Sequence, residues 1–74
     1  MAPNEVKIGG IYRHYKGGLY RVTGIVKHTE TEEVLVTYRA VMYSHDLTTW
    51  ARPIGMFCEE VGGKPRFSLL QLEV

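Results

Sequence analysis

The chain has 74 residues, of which 45% are apolar, and nine basic and eight acidic side chains give it a net charge of +1. A chain of this length buries only about 60% of its unfolded surface, which excludes a second domain. Its single cysteine, Cys58, excludes an internal disulfide and a cluster of thiolate ligands. No segment reaches the roughly 20 apolar residues of a membrane-spanning helix, and residues 1–7 lack the apolar run that is typical of a secretory signal. We therefore expect a cytoplasmic protein with no membrane partner.

The first half of the domain is predicted to be a β-hairpin. Residues 1–8 are interpreted as a flexible lead-in, and residues 9–74 as one domain. Ile11–Tyr15 is rich in aromatic and β-branched residues and predicts a strand. Gly17-Gly18 is typical of a hairpin turn because glycine tolerates positive φ, so a second strand is expected over Leu19–His28.

Gly24, in the middle of the second predicted strand, indicates a bulge or a sharp bend. A polar turn follows, and alternating residues predict a third strand over Glu33–Ala40, with Tyr38 and Arg39 on opposite faces. A three-residue loop at Glu30–Glu32 would place Gly24 directly opposite Tyr38, where an aromatic ring can cover the glycine.

The second half of the chain has shorter elements. Residues 41–49 are predicted to form a loop, and Trp50–Arg52 a short strand that ends at a proline. The apolar spacing in Ile54–Val61 favours one or two helical turns that end at a glycine pair, and Pro65–Leu69 is the predicted closing strand. This order predicts a mainly β domain, a small SH3-like barrel of about five strands with one short helical turn.

Two blocks of the sequence resemble a known family. The first contains Tyr12-Arg13-His14-Tyr15-Lys16-Gly17, Tyr20-x-Val22-x-Gly24, His28-x-Glu30 and Tyr38-Arg39; the second contains Trp50-x-Arg52-Pro53, Met56-Phe57 and Arg66-Phe67. Together, over residues 9–67, they resemble a family of small bacterial proteins known as a domain of unknown function, numbered 1653. The resemblance implies a small barrel and no established activity.

Candidates for catalytic chemistry are few. His14 and His28 could form a metal or acid–base site only if the fold brought their rings together, because neither belongs to a metal-binding motif. Cys58 lies beside Phe57 and is interpreted as a small buried apolar residue. We expect no cofactor, no metal and no enzymatic activity, and we keep a site at His14 and His28 as one alternative.

Aromatic residues interleaved with basic ones are the strongest functional signal, because flat rings and arginine are common in binding surfaces. We predict a binding module for a protein segment or a small ligand, with a candidate surface formed by Trp50, Arg52, Tyr43, Lys16 and Arg39. A second alternative is nucleic-acid binding, since residues 1–28 contain five basic residues and one acidic residue. Its candidate residues are Arg13, Lys16, Arg21 and Lys27.

Overall fold

A computed structural model describes residues 6–42 and 47–72, the last of these by its backbone alone. The elements are strands β1 (Gly10–His14), β2 (Leu19–Lys27), β3 (Val34–Ala40) and β4 (Trp50–Pro53), helix α1 (Ile54–Phe57), and strands β5 (Glu60–Val61), β6 (Lys64–Pro65) and β7 (Phe67–Leu72). The prediction of a mainly β domain with one short helical turn is confirmed.

Five strands form one antiparallel sheet in the order β4-β3-β2-β1-β7, and β5 pairs with β6 in a separate small sheet. Strands β4 and β7 are the two edges of the large sheet. Within the described residues no backbone pairing joins these edges, so the closed barrel that the sequence predicted is not confirmed. The helix packs against β3 and β4.

The core is an aromatic cluster between the sheet and the helix. Its buried members are Tyr12, Val22, Val36, Tyr38, Phe57 and Phe67. The rings of Phe57 and Phe67 are stacked, with centroids 4.1 Å apart and planes 6° from parallel. Alternation places the even-numbered residues of β1 and β3 on the inner face of the sheet, so each strand contributes a tyrosine to the cluster.

The pairing of β2 with β3 corrects the predicted register. The strand is irregular between Val22 and Gly24, which confirms the predicted bulge. Gly24 lies opposite Thr37, however, and not opposite Tyr38, which pairs with Val22. The turn is longer than predicted because β2 ends at Lys27 and β3 begins at Val34.

The segment after α1 also differs from its prediction. The helix ends at Phe57, and Gly62-Gly63 forms the turn of the hairpin between β5 and β6, with φ angles of 59° and 84°. Two consecutive residues with positive φ suit a two-residue hairpin turn, which glycine adopts without steric cost. Arg66 then connects this region to the helix: its Nε donates to the Met56 carbonyl at 3.1 Å, and its Nη2 to the Glu59 carboxylate at 2.7 Å.

The start of the described chain contacts the domain. Residues 1–5 of the predicted lead-in lie outside the described residues, but Val6 packs against the core and the Lys7 amide donates to the Tyr12 hydroxyl at 2.9 Å. Gly10 is buried at the start of β1, where a Cβ atom would lie 2.9 Å from the Leu69 side chain. This close approach explains why glycine is needed at the entry to β1.

Candidate functional site

A concave pocket of about 550 Å³ lies on the inner face of the sheet, beyond the core. All five strands of the large sheet and the β1–β2 turn contribute to it. The lining residues are His14, Lys16, Gly18, Tyr20, Tyr38, Ala40, Trp50, Arg52 and Phe67. Because the edge strands β4 and β7 both line the pocket, the open sheet must curve strongly around it.

Strand alternation and register place the main side chains of this pocket. Trp50 and Arg52 are two residues apart on β4 and share one face, and Trp50 pairs with Tyr38 on β3. Tyr20 of β2 pairs with Ala40 on the same face. Ala40 has a small side chain, which leaves space above the tyrosine rings.

Trp50 is the most accessible ring in the pocket, with 52% of its surface exposed. By contrast, Tyr38 is 6% exposed and belongs to the core. The floor of the pocket is therefore the top of the aromatic cluster, whereas Trp50 forms part of its rim. An exposed indole can cover a partner while losing little conformational entropy.

The guanidinium of Arg52 is held by two contacts. Its Nε donates to the Tyr38 hydroxyl at 3.2 Å, and its Cζ atom lies 5.7 Å from the centroid of the Phe67 ring. The second contact is a cation–π interaction that links β4 to β7 where no backbone pairing joins them. Arg52 is thus a half-buried cation with a restricted orientation at the pocket.

His14 lies at the end of β1, beside the β1–β2 turn. Its ring is 4.9 Å from that of Phe67 and 6.5 Å from that of Tyr20, both edge to face. Its Nδ1 accepts the Lys16 amide hydrogen at 3.1 Å, so the neutral imidazole carries its proton on Nε2. Burial lowers the pKa of His14, and the positive charges of Arg52, Arg66 and Lys16 lower it further.

The structure brings together three of the five residues predicted for the binding surface, namely Lys16, Trp50 and Arg52. The prediction was wrong for Arg39, which lies on the opposite face of the sheet, where it pairs with Arg21. Neighbouring residues of a strand point to opposite faces, so Arg39 cannot share the face of Tyr38. Tyr43, the fifth predicted residue, lies outside the described residues.

Sequence reasoning did not assign His14, Tyr20 and Phe67 to the pocket. The pairing of β1 with β7, which places Phe67 opposite His14, joins residues more than fifty positions apart. Local patterns carry no information about such a contact. The Gly-Gly turn did provide a signal for Tyr20, since it predicts the hairpin that places β2 next to β1.

The predicted nucleic-acid surface is only partly assembled. Arg13 and Arg21 share the outer face of the sheet, since Arg13 pairs with Leu19 and Ile11 with Arg21. Lys16 lines the inner pocket. Lys27 pairs with Val34, on the inner face, because the bulge shifts the alternation of β2 by one residue.

The alternative site at His14 and His28 is contradicted by the fold. The two histidines flank opposite ends of β2, whose nine residues span about 30 Å at roughly 3.3 Å each. His28 Nδ1 accepts the amide hydrogens of Glu30 and Thr31 in the β2–β3 turn. Among the described residues, no group of three or more histidine, cysteine, aspartate or glutamate side chains could hold a metal ion.

Cys58 follows the helix and is partly buried against the core, as its apolar interpretation predicted. Burial raises the pKa of its thiol, which disfavours the nucleophilic thiolate. Within the part of the chain that the structure describes, no helix has the length and apolar character required to cross a membrane.

Fold and pocket together define a small mainly β domain with an aromatic and cationic pocket. The chain belongs to the family described as "Protein of unknown function (DUF1653)", whose model matches residues 10–69. A crystal structure of a DUF1653 protein from Bordetella bronchiseptica is similar in fold, with a TM-score of 0.78 and 30% sequence identity over 99% of this chain and 97% of that one. Among curated proteins, none matches this sequence. The predicted resemblance is thereby confirmed.

Proposed function

We propose that this protein is a non-enzymatic binding module that holds a small ligand, or a side chain of a protein segment, in the pocket beside Trp50. The observation that supports this proposal is the position of Trp50, which is 52% exposed at the rim of a concave pocket of about 550 Å³. Ligand-binding clefts typically have volumes of about 300–1,000 Å³ and combine aromatic walls with a few polar groups.

The rim and the floor of the pocket have different roles in this proposal. Tyr38 and Phe67 belong to the core and provide a fixed apolar floor. The side chains that contact a ligand directly are those of Trp50, Lys16 and Arg52. Since the floor is formed by packed core residues, the pocket is largely formed before a ligand binds, which reduces the entropic cost of binding.

The test is a ligand screen by ¹H–¹⁵N NMR, using the single tryptophan as a reporter. Binding in the pocket is expected to shift the Trp50 indole N–H and the amides of Lys16 and Tyr20 together. Trp50→Ala is expected to abolish binding of any ligand found. Leu70→Ala is the matched control, because Leu70 is 53% exposed and does not line this pocket. Ligands that shift only residues elsewhere, or that bind Trp50→Ala equally well, would contradict the proposal.

Nucleic-acid binding is a second candidate, favoured by the arginines on the outer face of the sheet. Arg13, Arg21 and Arg39 share this face, and Arg21 pairs directly with Arg39. Phosphate binding by these groups predicts an affinity for single-stranded DNA or RNA that falls steeply with salt, with a slope of about −0.7 per phosphate contacted. Arg21→Gln should lower both affinity and slope, whereas Lys27→Gln, on the inner face of the sheet, should change neither. Affinity that does not depend on salt would exclude this candidate.

A further inference from the structure

The charges around the pocket indicate the sign of the group that it binds. Lys16 and Arg52 both line it, and none of the described lining residues is a carboxylate. The Glu59 carboxylate forms a salt bridge with Arg66 at 2.7 Å, so its negative charge is paired with Arg66 and not with Lys16 or Arg52. A half-buried guanidinium such as that of Arg52 gains most from an anionic partner.

The hydrogen-bonding groups point to the same sign. His14 Nδ1 is occupied by the Lys16 amide hydrogen, so the neutral ring presents its Nε2–H as a donor. The Tyr38 hydroxyl accepts from Arg52 Nε. Ammonium, guanidinium and imidazole N–H groups are all donors, and a ligand that satisfies them must supply acceptor oxygens.

The rings around the pocket indicate the shape of the rest of the ligand. Trp50 exposes half of its surface, and the Tyr20 ring stands edge-on to Tyr38 at 5.4 Å and 89°. Flat ligands of many kinds stack on such rings, just as all nucleobases stack on aromatic side chains. A volume of about 550 Å³ has room for one or two fused rings with an attached anionic group.

We infer that the pocket is selective for small ligands in which a carboxylate or phosphate is attached to a flat ring. The anionic group lies between Lys16, Arg52 and the Nε2–H of His14, and the ring packs against Trp50. This inference rests on the proposed binding function and adds the chemical class of the ligand. A nucleoside monophosphate and an aromatic carboxylate share this chemistry, and separate probes distinguish them.

The test measures dissociation constants by calorimetry, with binding located by the Trp50 indole resonance. The probes that carry both features are adenosine 5′-monophosphate and benzoate. Adenosine and benzamide are neutral and lack the negative charge, and inorganic phosphate and cyclohexanecarboxylate lack the flat ring. At least one of the first two is expected to bind about tenfold more tightly than its matched controls, as one charge-assisted hydrogen bond would give.

Variants then assign the anion contact. Lys16→Gln and Arg52→Gln are each expected to weaken the preferred probe about tenfold or more, while Lys27→Gln, at the far end of β2 and outside the pocket, leaves its affinity unchanged. Lys16 is exposed on a turn, so its variant remains informative if the Arg52 variant is unstable.

The outcomes separate this inference from the proposed function. Binding of adenosine or benzamide as tight as that of the anionic probes would overturn the anion selectivity and leave the binding module intact. Equal affinity for benzoate and cyclohexanecarboxylate, with no preference for the nucleotide over phosphate, would overturn the requirement for a ring. If none of the probes bound while the NMR screen found another ligand at Trp50, the inference would fail and the proposed function would stand.

Discussion

Replacement of Trp50 by alanine is expected to remove ligand binding while the domain stays folded. The side chain is 52% exposed, so just under half of it is buried. A fully buried aromatic side chain covers about 150–250 Å², and half of the upper value gives about 120 Å² for this indole. At about 25 cal/mol per Å², its burial contributes about 3 kcal/mol as an upper limit.

Two corrections reduce this limit. Alanine retains the Cβ atom, and a realistic unfolded chain already buries part of its apolar surface, which lowers such figures by roughly 10–40%. We therefore expect Trp50→Ala to lower the free energy of unfolding by about 1.5–2 kcal/mol. A domain of this length has a total stability of about 4–11 kcal/mol, so the variant should remain folded. Phe57→Ala, by contrast, should cost about 3–5 kcal/mol, because that ring is 2% exposed.

The assay is urea denaturation followed by far-UV circular dichroism, since Trp50→Ala removes the only indole fluorophore. With an m-value of about 1–1.5 kcal/mol per M, the midpoint should fall by about 1–2 M. The ligand affinity of the folded variant is then measured well below its midpoint. A loss of stability as large as that of Phe57→Ala would show that Trp50 is a core residue. The pocket would then have no independent rim, and the binding proposal would lose its main support.

Three further predictions concern the scaffold of the pocket. Gly10→Ala should lower the melting temperature by several degrees more than Gly24→Ala. The new Cβ atom at position 10 would lie 2.9 Å from the Leu69 side chain and 3.0 Å from the backbone oxygen of Lys7, whereas at position 24 it would meet only the end of a threonine side chain at 3.3 Å. Because the pKa of His14 is lowered in the folded protein, the unfolded chain binds the proton more readily. His14 therefore does not reduce the free energy of unfolding above about pH 6.5, and reduces it as the pH falls below that value. In His14→Gln, the urea midpoint should change less between about pH 7.5 and 5.5 than in the parent protein. Arg66→Lys retains the charge but loses the planar group that contacts both a carbonyl and a carboxylate, and should lower the free energy of unfolding by about 1 kcal/mol in the same denaturation assay.

Local patterns predicted the first four strands and a short helix but not the hairpin of β5 and β6. They predicted residues of the pocket only where the geometry depends on one strand. Trp50 and Arg52 could be placed together because they alternate within one short, regular strand. The same rule separates Arg39 from Tyr38, so the assignment of Arg39 to the pocket was wrong on evidence that the sequence already contained. Lys27 is different, because its face depends on the position of the bulge within β2.

Closure of the sheet could not be predicted from local patterns either. A run of short strands predicts a curved sheet, but whether its edges pair depends on side chains that lie far apart in sequence. Here the Cζ atom of Arg52 on β4 lies 5.7 Å from the centroid of the Phe67 ring on β7. This side-chain contact joins the two edge strands that backbone hydrogen bonds would join in a closed barrel. An unpaired edge leaves space between the strands. Both edge strands line the pocket, and a fully closed small barrel would fill such an interior with side chains.

The shared use of aromatic rings limits how this pocket can vary without loss of the fold. In so short a chain the core is thin, and Tyr38 and Phe67 both stabilise it and form the pocket floor. Changes to these rings would alter ligand binding and stability together, and no binding experiment could separate the two effects. Lys16 and Trp50 are exposed side chains on a turn and an edge strand, so their replacement acts mainly on the ligand. Specificity in this fold can therefore change at the rim while the floor stays fixed.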